Sequence, residues 1–381
     1  MLTASIVVAA GKWLALLAAL AVALLGAVVH LPVITTSELK SFRRCPREHR
    51  IAYREGIRPA QAAEALRFGT LVHRALEAWW RAGVDRLAAA LEALSTAPDV
   101  DPYDLARAEA LVIGYDARWG GAPLETLAVE VEFRAPLVNP ATGAASRTYQ
   151  IGGKLDAIAR DVSTGRTLIV EHKTASASVD LEAGAPYWRR LQLDGQVSMY
   201  FAGARALGFE PDACLYDVVA KPAQRPRQIP LVDEQGVRIV VDQAGERVRT
   251  KDGKRWRETA DTAAGYVVQT RPETVEEYRA RLLDAIAEAP EQFYRRGEVV
   301  RLADEESDAA HDVWQTARAM REAELAGRAP RNVDACERYG SFCQFFDACT
   351  NTASLDDPIR FRRAERAHEE LATNATEETA A

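Results

Sequence analysis

Apolar and polar positions alternate with two different periods along this chain, and the change of period separates helices from strands. Thr36-Ser37-Glu38-Leu39 reads as a helix entry, a hydroxyl cap ahead of an amphipathic run. The run SELKSFRRCPREHRIAY then spaces Leu39, Phe42 and Tyr53 near helical intervals. Residues 61–82 predict a second helix with Phe68, Val72, Leu76 and Trp79 or Trp80 as its apolar stripe. Residues 84–120 predict two further short helices split around Pro98–Pro102. From Leu127 the period falls to two. LAVEVEF places Val129, Val131 and Phe133 on one face and Glu130 and Glu132 on the other. Turn clusters at 139–143 and 163–165 separate this strand from Tyr149–Ala159 and Thr167–Lys173, giving a three-strand antiparallel meander. Leu168-Ile169-Val170 is apolar on both faces, as in a central strand. A helix from about Tyr187 to Leu207 stops at Gly208, and the strand ACLYDVVA follows at 213–220. Residues 272–288 and 303–326 predict two more helices. The order helix, three strands, helix, strand is an α/β layer with helices on a mixed sheet.

Three stretches fall outside that rhythm. Residues 1–34 form an apolar leader in which Trp13 to Val29 carries no charge. That run is close to the minimum for a bilayer span, which takes roughly 17–25 residues. It reads as a membrane anchor, as a start site assigned too far upstream, or as a buried N-terminal helix. Everything beyond Val33 reads as a cytosolic domain, so the expected location is the cytoplasm, with membrane attachment only if the leader is genuine. Residues 221–262 are polar and basic, with Trp256 among the arginines. They suit a solvated hairpin insertion or a loop facing nucleic acid. Residues 351–381 form a polar tail whose last stretch, EELATNATEETAA, has a disordered composition. No internal repeat stands out.

Composition adds limits. The chain has a formal net charge of −7, so nucleic-acid binding has to come from local patches. Five cysteines in 381 residues do not make a small disulfide scaffold. Cys214 sits alone in an apolar strand and reads as core. Cys45, Cys336, Cys343 and Cys349 remain, the last three spaced x6 and x5. No G-x4-G-K-[ST] phosphate loop is present, so an ATP-driven motor would have to be another chain.

The chemistry concentrates in GGKLDAIARDVSTGRTLIVEHKT, residues 152–174. Glu171 and Lys173 share a strand face, and a hairpin partner can carry Asp156 to the same end of the sheet. Two carboxylates and a lysine beside so apolar a strand are expensive to bury, which points to a divalent metal and a phosphate substrate. His73 borders the apolar stripe of its helix, where a histidine is ordinarily a packed core residue. The arginines at 43, 44, 47, 50 and 54 suit either a solvated face or phosphate contact.

FRRCPREHRIAY, FGTLVHRAL, GGKLDAI, VEHKT, QVSMY and CERYGSFCQFFDAC occur in this order across residues 36–350. Together they resemble a RecB-like nuclease of the PD-(D/E)XK superfamily, the branch with CRISPR-associated adaptation exonucleases and AddB-type nuclease domains. The resemblance implies a restriction-endonuclease-like core, a mixed central sheet flanked by helices, with helical additions. It implies one nuclease domain over 35–350, including the insertion at 221–262 and the C-terminal cysteines. It further implies Asp156, Glu171, His73 and the backbone carbonyl of His172 as ligands of Mg²⁺ or Mn²⁺. Lys173 would orient or help deprotonate the attacking water. Gln196 and Tyr200 match a glutamine-x3-tyrosine helix that supports the lysine and contacts DNA, and Arg43 and Arg47 would join the DNA contacts. Glu130 resembles an acidic position on the preceding strand. Cys45, Cys336, Cys343 and Cys349 would hold a [4Fe–4S] cluster stapling the first helix to the C-terminus, with zinc the alternative. The x6 spacing after Cys336 is wider than the family's usual x2. The function implied is a metal-dependent DNA exonuclease acting on single strands or duplex ends in recombination, repair or phage/CRISPR-type DNA processing. A separate helicase or recombination protein is the implied partner. The rival is a DNA-binding partner that keeps the fold without turnover.

Overall fold

The computed structural model describes residues 31–371 apart from 62, 63, 177–179, 181, 183 and 339. The apolar run at 13–29 lies outside them; among the described residues no helix is long and apolar enough to cross a membrane. The chain enters through β1 (Val33–Ile34) and α1 (Thr36–Arg44), whose N-cap Thr35 accepts a hydrogen bond from the Glu38 amide. A short helix, α2 (Pro46–His49), runs into a π-helical turn at Arg50–Arg54. Then come α3 (Glu64–Arg81), α4 (Arg86–Ser95) and α5 (Pro102–Trp119). The predicted stripe of α3 is buried in full, Phe68, Val72, Leu76, Trp79 and Trp80 included. The second of the two helices expected as short, α5, runs 18 residues, started by Asp101 capping Tyr103 and Asp104.

The meander follows as β2 (Leu124–Val138), β3 (Ala145–Asp161) and β4 (Thr167–Ala175). Beyond it lie α6 (Pro186–Leu191), α7 (Gly195–Ala206), β5 (Ala213–Ala220), α8 (Val275–Glu288), β6 (Tyr294–Val299) and α9 (Ala303–Leu325). The main sheet runs β2–β3–β4–β5–β6, with β1 on the β4 side of β3. β4 and β5 are parallel; β2–β3, β3–β4 and β5–β6 are antiparallel. This is the mixed α/β architecture expected.

Helices cover both faces. On one, α3, α4, α5 and α8 pack on Ala157, Ala159, Val170 and Val219. On the other, Val197, Tyr200, Phe201 and Ala204 of α7 pack on Phe133, Ile158, Ile169 and Tyr216. A third cluster joins α1, α9 and the β1 end of the sheet through Ile34, Phe42, Tyr149 and Met320. Cys214 is fully buried in β5, as its sequence context implies.

Several expectations are corrected. The helix read as continuous from about Tyr187 to Leu207 breaks after Leu191 and restarts at Gly195, because Asp194 caps the Gln196 amide. Alternation in LAVEVEF slips at Glu130, whose φ is +54°. A left-handed residue rotates the strand about its axis, and Val129 and Phe133 consequently join opposite layers. The polar insertion runs past 262 to Pro272 and forms its own small β-structure. It carries a short repeat that hydropathy does not display: the turns at Asp233 and Asp242 each bond a backbone amide two and four residues on, and each closes on a left-handed glycine, Gly236 or Gly245. The tail is docked over its first part. Phe361–Arg363 pairs with Ile57–Pro59, and His368 reaches Glu38 of α1. Residues 372–381 lie outside the description.

Candidate active site

β3 is the longest strand and serves two neighbours on one edge. Its first half pairs with β1 at Gln150 and Ile151, its second half with β4 from Ala157 to Arg160. Between them it belongs to neither, and a fork opens. Gly152 lies in that gap, and a Cβ there would stand 2.6 Å from Val33 Cγ1. Asp156 is the first residue beyond the last β3–β4 pair, and Glu171 is its counterpart on β4. Strand alternation turns Glu171 and Lys173 toward α7, with Ile169, and turns His172 to the opposite face, with Val170. The segment 152–174 therefore does bring Asp156, Glu171 and Lys173 together.

The Asp156 Oδ2 accepts a hydrogen bond from the His172 amide at 2.8 Å. His73, from α3, reaches the same oxygen with Nδ1 at 3.9 Å. Glu171 is 1% exposed; one oxygen is ion-paired with Lys173 and accepts from Gln196 Nε2 at 2.8 Å. Its other oxygen, Oε2, is buried without a hydrogen-bond partner. Gln196 also bonds the Tyr200 hydroxyl at 2.7 Å, so the pair on α7 supports the carboxylate, where the resemblance implied support of the lysine. Lys40 of α1 completes this corner, 3.1 Å from both Gln196 Oε1 and Asp194 Oδ2.

The electrostatics follow from crowding like charges in a dry place. Burial pushes the Asp156 carboxyl up to about 6, against the pull of Lys173 and with repulsion from Glu130. Burial, then repulsion from Asp156, pushes Glu171 up to about 7, again against Lys173. Burial alone would lower the Lys173 pKa; the two carboxylates outweigh it and hold the ammonium above its ordinary value. Desolvation lowers the His73 pKa, and burial drives His172 down to about 3, so both imidazoles are neutral near pH 7. Glu130, the left-handed residue of β2, is ion-paired with Lys154 beside Asp156.

Behind the fork lies a second buried set, which the sequence did not reveal. Asp217 of β5 is fully buried, bonds the Tyr115 hydroxyl and receives Arg296 Nη2 at 2.9 Å. The guanidinium sits 4.3 Å from the ring centre of Trp119. His172 Nδ1 lies 3.6 Å from Asp217 Oδ2, and neither ring nitrogen has a hydrogen-bond partner. The backbone of His172 thus holds Asp156 on one side of β4 while its ring faces a buried ion pair on the other.

Two hard carboxylates with raised pKa values, an orphaned carboxylate oxygen and a neutral imidazole make a donor set suited to Mg²⁺ or Mn²⁺. Among the described residues no three such side chains already enclose an ion. The carboxylates turn instead to Lys173, Gln196 and the His172 amide. The arginines singled out in α1 and α2 lie elsewhere. Arg43 bonds Thr316 of α9, and Arg47 stands beside Cys349, whose pKa it lowers against the larger effect of burial. Neither hydrogen bonds or ion pairs with the site carboxylates. The four cysteines are free thiols gathered where α1 meets the C-terminal segment: Asn332 bonds Cys45 Sγ with its amide and Cys336 Sγ with its carbonyl, and the Cys343 amide bonds the Cys336 carbonyl.

No match to the chain was found among curated proteins. The family model for the PD-(D/E)XK nuclease superfamily matches residues 33–350. That span runs from β1 through the fork to the last cysteine, and over it the chain belongs to the PD-(D/E)XK nuclease superfamily.

Proposed function

We propose that this nuclease is a Mg²⁺- or Mn²⁺-dependent exonuclease acting on single-stranded DNA or duplex ends. The observation that carries the reading is the convergence of Asp156, Glu171 and Lys173 on a buried fork, with both carboxyl pKa values raised chiefly by burial and further by a neighbouring carboxylate, Glu130 for Asp156 and Asp156 for Glu171. Asp156, Glu171, His73 and the His172 carbonyl would hold the metal. When bound, a divalent cation lowers the pKa of water and neutralises charge on the scissile phosphate. Lys173 stays protonated at neutral pH, so it orients the attacking water and stabilises negative charge on the phosphate in the transition state. Gln196, anchored by Tyr200 and Lys40, keeps Glu171 facing the fork.

End-labelled linear DNA and covalently closed circles, single- and double-stranded, test this with Mg²⁺, Mn²⁺ or EDTA. Metal-dependent loss of linear but not circular DNA is expected, abolished in Lys173→Ala and Asp156→Ala. Binding without degradation in every lane would instead identify a silent DNA-binding partner. Cys45, Cys336, Cys343 and Cys349 are proposed to hold a [4Fe–4S] cluster, supported by thiolate chemistry and by their common place where α1 meets the C-terminal segment, although among the described residues no three of them already form a metal-holding group. Anaerobic purification with iron analysis and a visible spectrum tests it; a colourless protein carrying one equivalent of zinc would replace iron with zinc. A separate helicase or recombination protein remains the proposed partner.

A further inference from the structure

The insertion between β5 and α8 has no part in the chemistry above. Its root is fixed to the same end of the sheet as the fork. Lys173 lies beside Val218 and Ala175 beside Ala220, and the next amide, Lys221, bonds the Ala175 carbonyl at 2.9 Å. The chain leaving β5 is then clamped. Arg107 of α5 bonds the Pro222 carbonyl, Tyr278 and Arg281 of α8 bond those of Gln224 and Arg225, and the buried Glu273 receives the Arg227 amide. Beyond this root the backbone runs through successive tight hairpins, with Val240 and Val241 buried as a small core.

The hairpin at 247–257 carries six basic side chains and one acidic, Asp252. Arg249 pairs with Trp256 across it, and the indole lies 4.4 Å from the Arg247 guanidinium and 4.0 Å from that of Arg249. The tryptophan thus props up arginines and is not a free platform for bases. Arg247 and Arg257 are neutralised by Asp233 and Asp261. Arg249, Lys251, Lys254 and Arg255 are exposed, and among the described residues none of the four is ion-paired, although Arg255 acts on the nearby Asp252 carboxylate. Elsewhere on the surface arginines are commonly paired, as in Arg205–Glu306, Arg271–Glu277 and Arg362–Glu369. In a chain of net charge −7, a net cationic tip on a clamped root is a local patch of the kind a polyanion needs.

We propose that this hairpin arm grips the phosphodiester backbone of the DNA substrate as it enters the fork, through charge and without reading sequence. The inference rests on the nuclease reading above and adds the surface that holds the substrate. Each phosphate neutralised releases counterions, so the arm contributes to the salt dependence of binding.

The test measures binding of fluorescent single- and double-stranded oligonucleotides in EDTA across a salt series. It compares the wild-type chain with Arg249→Gln/Lys251→Gln/Lys254→Gln/Arg255→Gln, and with Arg147→Gln/Arg318→Gln as a control for general charge loss. The four-site variant should show a slope of log K against log salt reduced by about 3, and affinity lower by about 10-fold or more at low salt. The control should change neither by a comparable amount. Lys251→Gln/Lys254→Gln, which leaves the Trp256 stack intact, should lose about half as much slope and replaces the four-site variant if that one fails to fold by circular dichroism. A wild-type protein that binds DNA with a steep salt slope, shared unchanged by the arm variants, overturns the arm and leaves the nuclease reading standing. A wild-type protein that neither binds DNA nor degrades it with Mg²⁺ or Mn²⁺ removes both.

Discussion

Arg296→Met isolates the buried set behind the fork. Asp217 is fully buried and Arg296 nearly so, at 9% side-chain exposure. The guanidinium bonds Asp217 at 2.9 Å and the Tyr115 hydroxyl at 3.0 Å, so the substitution leaves a desolvated carboxylate with one neutral donor. Removing one partner of a buried pair costs about 3–5 kcal/mol, because the remaining charge has no solvent to turn to. Here the cost should sit at the lower end, about 3 kcal/mol, since the Tyr115 hydroxyl still donates to the carboxylate. Asp217→Asn/Arg296→Met removes both charges and should cost less than the single change, about 1–2 kcal/mol for polar groups left unpaired. Arg296→Lys keeps the charge but loses the fork geometry that serves two acceptors at once. Urea unfolding of metal-free protein, followed by tryptophan fluorescence and circular dichroism, gives the cycle. If Arg296→Met loses under about 1 kcal/mol, or the double variant is the less stable of the two, the pair is not the desolvated unit described.

Four further outcomes follow from the site and its supports. Asp156 and Glu171 have folded-state pKa values raised to about 6 and about 7, so the native state binds protons more tightly than the unfolded chain. Metal-free protein should therefore lose stability as pH climbs from about 4 to 7, by up to about 3 kcal/mol per group, and Glu171→Gln should melt higher than wild type at pH 7.5; a lower melting point contradicts the argument. Gln196→Ala frees the Glu171 oxygen from its amide and should lower metal-dependent turnover about 10-fold, about 1.4 kcal/mol, with Gln196→Glu worse because it adds a third carboxylate. Gly203→Ala drives a methyl to within 2.5–2.6 Å of the Phe133 ring and should destabilise by about 1–3 kcal/mol, read by thermal melting. Burial lowers the His368 pKa, but Glu370 and Glu38 outweigh it and raise the value to about 9. The docking of residues 364–371 should be complete below pH 6.5 and weaken as pH rises through 9; their amide exchange, corrected for intrinsic rate, should follow, and His368→Gln should remove the dependence.

The legible part of the site was the part carried by one contiguous segment. Asp156, Glu171 and Lys173 lie on adjacent strands joined by the five residues 162–166, so period-two alternation and a hairpin sufficed to bring them together. Lys40 and Arg296 reach the same region from α1 and β6, and nothing local in their segments distinguishes them from surface charges; Asp217 is the single charge in the apolar strand ACLYDVVA, a signal of burial that names no partner. Arg296 sits in YRRGEV, whose alternation is poor, and the strand itself went unread. The same limit explains the tail. FRR at 361–363 is polar by composition, yet it supplies an edge strand to Ile57–Pro59 across some 300 residues of chain. Glu130 failed for another reason: its left-handed backbone breaks a pattern that hydropathy assumes is unbroken.

β4 shows why the fork can hold so much charge without falling apart. Glu171 and Lys173 point to the α7 layer, and His172 between them points to Trp80 and Tyr115 in the other. A slip of one residue would exchange the two sets, burying Lys173 against Trp80 and sending the His172 ring toward Gln196. The parallel pairing with β5 from Leu168 to Ala175 resists that slip with eight consecutive partners, and Asp217, paired in register with His172, is itself held by Arg296 on the far face. The site carboxylates are therefore held by a strand whose position is set from behind. Any change that loosens the Asp217–Arg296 pair should be felt at Asp156 through the single amide hydrogen bond from His172, even though no side chain of that pair faces the fork.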